Sequence, residues 1–73
     1  MSLLSDYAAE LTLQAHTDWE WEYAEAFTAI AATVDSQPRD QAILWLTGLI
    51  EGLAVFSTSR KAAQKALSLL EDE

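Results

Sequence analysis

Two carboxylates three residues apart, Glu22 and Glu25, are the best-spaced pair in this 73-residue chain for chemistry. On a helix both fall on one side, where together they suit a hard cation such as Mg²⁺. His16 and Glu20, four apart, offer a second pairing for metal binding or proton transfer. Both pairs border the acidic aromatic run Asp18-Trp19-Glu20-Trp21-Glu22-Tyr23. At 100° per residue Trp21 falls about 200° from Trp19, so the two rings look in nearly opposite directions. Trp19 and Tyr23 share the side expected to face the core, with Phe27 nearby. Trp21 is left among Glu20, Glu22 and Glu25. A large aromatic surrounded by carboxylates has the make-up of an interface centre.

Neither pair is completed elsewhere in the sequence. The Glu22-x-x-Glu25 spacing is similar to that of all-helical nucleotide pyrophosphohydrolases of the MazG type. Those enzymes set a second acidic pair on another helix, whereas Glu51 stands alone in its segment here. A di-iron bundle needs Glu-x-x-His on two helices, and the chain has no such motif. With no cysteine and one histidine, a thiolate or zinc site and a nucleophile–base pair lack their parts. No glycine-rich loop is available to cradle phosphate. No catalytic residue, metal or cofactor is therefore assigned. The expectation is a non-enzymatic protein, with Mg²⁺-dependent nucleotide hydrolysis the weakest alternative.

Charge points towards partners instead. Twelve acids against four bases give a formal net charge of −8. Residues 1–36 hold Asp6, Glu10, Asp18, Glu20, Glu22, Glu25 and Asp35 and no base. Such a chain is repelled by nucleic-acid phosphates and anionic membranes and favours a basic protein surface. The expected function is to bind and regulate another protein, as inhibitor or adaptor, through Asp18, Glu20, Trp21, Glu22 and Glu25. The alternative is that the acidic row imitates DNA, as phage inhibitors of host nucleic-acid-binding enzymes do. Arg60, Lys61 and Lys65 make a patch too small to hold nucleic acid against the overall field, and they are expected to pair with acids of the first arm. No basic leader is visible. The apolar stretch 41–56 is shorter than the roughly 20 residues of a membrane span, so a cytoplasmic location is expected.

These side chains need helices to position them, and the pattern is all-α. Residues 41–56, with Glu51 as their one charge, form the most apolar stretch. They are expected to make the central helix around which the rest is organised. Ala42, Leu46, Leu49, Leu53 and Phe56 share one side of it, and Ile43, Trp45, Ile50 and Ala54 widen that side. Gly48 and Gly52, four apart and flanked by Trp45 and Leu49, form a flat strip. That strip suits a second copy, or it makes room for Trp19 or Trp45 of the same chain. A chain this short buries only about 60% of its unfolded surface, so a homodimer is expected.

The helix count stays open. Thr17-Asp18-Trp19-Glu20 has the form of a capping box that would begin a second helix. The stripe Leu11, Ala15, Trp19, Tyr23, Ala26, Ile30, Val34 also runs through without a phase break, which suits one helix from Leu3 to Thr33. Asp35-Ser36-Gln37-Pro38 must turn, since proline breaks a helix and suits the first turn of the next. Ser57-Thr58-Ser59 is a softer break, followed by a helix with Ala63, Ala66, Leu67 and Leu70 inward. Ser2 or Ser5 would cap the first helix, and Glu71-Asp72-Glu73 would form a solvated tail. The expected architecture is a single all-helical domain, 1–73. It is a hairpin or bundle of two long or four short helices around the turn at 35–38, and a four-helix bundle forms either within one chain or in a dimer.

Overall fold

The structure, a computed structural model, describes residues 3–72. Ser2, one of the two expected caps, and Glu73 of the tail lie outside the described residues. Four helices follow one another: α1 (Leu3–Gln14), α2 (Asp18–Asp35), α3 (Arg39–Gly52) and α4 (Thr58–Glu71). The fold is all-α, with no strand among the described residues.

The break at 15–17 shows how local chemistry set the helix count. Thr17 is extended, at φ −109° and ψ 163°. Its Oγ1 accepts the Glu20 N–H at 3.2 Å, and Glu20 Oε1 accepts the Thr17 N–H at 3.1 Å. Two amides that a helix start leaves without partners are thereby satisfied. The apolar stripe is continuous, but the cap lets the chain reverse so that α1 and α2 pack on each other, and the single-helix alternative falls. Ser5 is not a cap: it lies inside α1, and its hydroxyl donates to the Asp35 carboxylate at the far end of α2. The second turn uses Gln37 N–H to Val34 O at 3.1 Å, and Pro38 precedes α3 at φ −59°. At the third, Ser57 Oγ accepts the Arg60 N–H at 3.1 Å and caps α4.

The helix at the centre is α4. It packs against α2 on one side and α3 on the other and touches α1, while α1 packs mainly on α2. Its buried residues are Ala62, Ala63, Ala66 and Leu70. Three alanines let neighbours approach from both sides, which a row of leucines would not allow. Trp19, at the start of α2, lies beneath Lys61, near the start of α4, while Val34 and Leu70 meet at the other end. The α2–α4 pair is therefore parallel. α1 and α3 run the opposite way, with Arg39 reaching Leu70 and Arg60 reaching Leu53. The core centres on Leu4, Phe27 and Leu46, each almost fully buried, and Tyr7 leans on Phe27 with ring centroids 5.0 Å apart. The molecule measures 34 × 29 × 19 Å.

The expectation that residues 41–56 organise the fold is therefore corrected. This stretch is an edge helix that contributes only Ala42 and Leu46 to the fully buried set. It ends at Gly52, and the turn needed to bring Ser57 into its capping position carries Val55 and Phe56 off the helix. Phe56 is 90% exposed and Leu44 73%. Leu49 and Trp45 are half-buried against the core. Gly48 and Gly52 lie on the open side, and a Cβ added at either would meet nothing within 4 Å. Within the chain they therefore neither admit a close helix nor make room for a tryptophan. Trp19 also departs from its expected place in the core. It sits at the end of the bundle, 51% exposed, and stacks on Tyr23 with centroids 5.7 Å apart.

Candidate functional site

α2 buries Ala24, Phe27, Ile30, Ala31 and Val34. That row, with its phase fixed by the cap at Thr17, turns positions 18, 21, 22 and 25 to the opposite side. Asp18, Trp21, Glu22 and Glu25 are all exposed there. Glu20 is held elsewhere. Besides the Thr17 amide, its Oε1 accepts the His16 N–H at 3.4 Å. Its carboxyl lies below the ordinary 4.5, chiefly through hydrogen bonding with the Thr17 side chain. Burial opposes this, while the His16 and Thr17 amides and the nearby imidazole reinforce it. Of the five residues expected to meet a partner, four share one outer surface and the fifth serves the cap.

The base positions differ from the expected ion pairs with the first arm. Arg39 Nη2 donates to Leu70 O at 2.9 Å, and Arg60 Nη1 donates to Leu53 O at 3.4 Å. Lys61 Nζ sits 5.6 Å above the Trp19 ring, and Lys65 Nζ sits 5.3 Å above Tyr7. The side of α1 and α2 that faces α4 is aromatic, so a lysine reaching across meets ring faces and not carboxylates. Among the described residues none of Asp6, Glu10, Asp18, Glu22 and Glu25 enters an ion pair. All four bases of the chain are thus occupied by its own rings and carbonyls, and these five acids face solvent.

Glu22 and Glu25, with Ala26, form one wall of a shallow cleft of about 500 Å³, and Thr58 and Ser59 form the other. No third carboxylate or histidine joins them: among the described residues no three such groups gather as a metal site requires. Glu51 is exposed on α3. His16 lies in the α1–α2 link and reaches Glu20 through its backbone N–H.

Sequence reading missed a groove between α1 and α2, of about 510 Å³, lined by Ser5, Ala8, Ala9, Thr12 and Leu13 on one wall and Thr28 and Ala32 on the other. The signal was the set of small residues on facing helices, which reads as unremarkable until the helices are paired. Leu13 stands 83% exposed on its wall. Among the described residues no helix is long and apolar enough to cross a membrane.

No family model, curated protein or solved structure matches the chain.

Proposed function

We propose that the protein is a non-enzymatic interaction module that binds and regulates a basic partner protein through the outer surface of α2. Trp21 is the apolar anchor, with Asp18, Glu22 and Glu25 around it. One observation carries this reading: the four bases are engaged within the fold, whereas among the described residues Asp6, Glu10, Asp18, Glu22 and Glu25 pair with no base. A half-exposed tryptophan beside free carboxylates supplies both the desolvated centre and the charged surround of a protein interface. DNA mimicry is the weaker reading on magnitude. Positions 18, 22 and 25 span about 10 Å at 1.5 Å per residue, or about one charge every 5 Å. One DNA strand carries a charge about every 3.4 Å and the duplex about every 1.7 Å.

The test is capture from source-cell lysate by the tagged protein, with Trp21→Ala and Glu22→Lys/Glu25→Lys as comparisons. A basic protein retained by the native chain and lost from both variants is the expected result. Equal retention by all three would overturn the assignment. Competition by DNA together with loss at modest salt would move the reading to mimicry.

The same proposal includes a homodimer through the outer side of α3. Two copies at −8 repel wherever their acids meet, and residues 41–56 contain only Glu51. Leu44 is exposed on that side, and the space over Gly48 and Gly52 is open. Light scattering should give twice the 8.1 kDa chain mass at high concentration, and a monomer mass there would refute it.

A further inference from the structure

We infer that the α1–α2 groove is a docking site for a basic amphipathic helix of the partner, which lays its apolar stripe between the two helices. This rests on the reading above that the partner is basic, and it adds where and in what form that partner binds.

The groove's lining is apolar wherever a ligand would touch it. Thr12 Oγ1 donates to Ala8 O at 3.0 Å, Thr28 Oγ1 donates to Ala24 O at 2.7 Å, and the Ser5 hydroxyl donates to Asp35. Every hydroxyl in the groove already has a partner in the chain. Covering the groove therefore strands no polar group, the usual penalty for burying serine and threonine. With the hydroxyls turned onto their own helices, what remains for a ligand is the methyls of Ala9, Thr12, Thr28 and Ala32 and the exposed Leu13.

The groove also has the shape of a helix seat. From Ser5 to Leu13 the groove follows α1 for about 12 Å at 1.5 Å per residue, a little over two helical turns. On α2, Trp21 lies seven and eleven residues before Thr28 and Ala32. That spacing sets it about 20° from each, on the same side of α2 as the groove wall and beyond its end. Walls of alanine and threonine let a third helix approach closely. Helix-in-groove recognition uses anchors of this kind at i, i+3, i+4 and i+7.

Charge selects the occupant. Asp6 and Glu10 lie beside Ala9 and Leu13 on the outer side of α1. Asp18 and Glu25 lie beside Trp21 and Thr28 on α2. Both rims are acidic, and the chain has no lysine or arginine before Arg39. A helix with lysines or arginines on either side of an apolar stripe matches both rims. A second copy does not. Its least covered helix, α3, carries Asp40 and Glu51 on the outside, and its one base, Arg39, is held by Leu70 O.

The test uses a synthetic three-turn helix of leucine and lysine, the same peptide with glutamate for lysine, and the full chain, followed by titration calorimetry and NMR. The lysine peptide should bind, with shifts concentrated at Ala9, Leu13, Thr28 and Ala32, and the glutamate peptide should not. Ala32→Phe fills the groove at an exposed position and leaves every charge in place, so it should weaken binding about tenfold or more, the loss typical of an interface centre. Leu13→Ala is the second variant, with circular dichroism checking the fold of both. Undiminished binding by both would overturn the groove and leave the basic-partner reading standing, the attraction then being purely electrostatic. Equal binding of a neutral apolar compound and the lysine peptide would overturn the helix as occupant. Groove shifts produced by raising protein concentration alone would assign the groove to a second copy and overturn it too. If neither peptide nor any basic protein binds, the broader reading fails with it.

Discussion

Thr17 and Glu20 decide more than their size suggests. Replacing an N-cap threonine by alanine costs about 1 kcal/mol, so Thr17→Ala should lower the urea midpoint with no change in slope. Glu20 adds a pH signature. Its folded carboxyl lies below 4.5, so the unfolded chain takes up its proton first as the solution is acidified. A lowered folded value means stability that is present above about 4.5 and lost as pH falls through the folded value. The destabilisation caused by Glu20→Ala should therefore be largest near neutrality and shrink below pH 4.5, and urea melts at several pH values would read it. A pH-independent difference would contradict the role given to the charged form. The cap was legible in the sequence because its parts sit within four residues. The same four residues also hid something, since Glu20 was expected both in the cap and at the interface, and its Oε1 is committed to the cap.

At the scale of elements, hydrophobicity misidentified the centre. Residues 41–56 are the greasiest stretch and form the edge, whereas α4, with three buried alanines, forms the hub. Buried volume in a small bundle is limited by how closely helix axes approach, and alanine permits the closest approach. A pattern of apolar spacing identifies which side of a helix faces inward, and it did so for Ile30, Val34, Ala63, Ala66 and Leu70. It does not reveal how many neighbours that helix has. The glycines of α3 sharpen the point. With nothing within 4 Å of either Cβ position, Gly48→Ala should stabilise the isolated fold by up to about 1 kcal/mol through helix propensity. If two α3 helices meet along that strip, the same methyl groups hold them apart. The expected result is a higher denaturation midpoint at low concentration and weaker dimerisation, read from melts and sedimentation on one variant. A higher midpoint with undiminished dimerisation would remove the strip from the interface.

For the molecule as a whole, the separation of charge is the main property. Length and composition announced an acidic helical protein. They did not announce that its bases would be taken by Trp19, Tyr7 and two backbone carbonyls, because that depends on α4 lying across α2 and α1. Asp6, Glu10, Asp18, Glu22 and Glu25, which enter no ion pair among the described residues, repel one another. The Debye length falls from about 30 Å at 0.01 M salt, as long as the molecule, to about 8 Å at 0.15 M. Salt should therefore raise the urea midpoint while weakening the proposed contact with a basic partner. A midpoint that falls with salt would mean that attractive pairs, and not repulsion, dominate the surface.

The parallel pairing of α2 with α4 has a consequence for how the chain reaches this state. α1 and α2 are neighbours in sequence and can form a hairpin across a three-residue link. The core side of that hairpin waits for a helix about forty residues further on, as the separation of Trp19 from Lys61 indicates. Contacts of that range slow folding relative to a bundle whose every neighbour is next in sequence. In the interval Phe27 and Ile30 lack their cover. The segment left waiting is also the one that carries only acids, so two unfinished chains repel each other at the moment when their apolar sides are open. On this view the uneven charge that suits a basic partner also keeps a slowly closing fold out of aggregates.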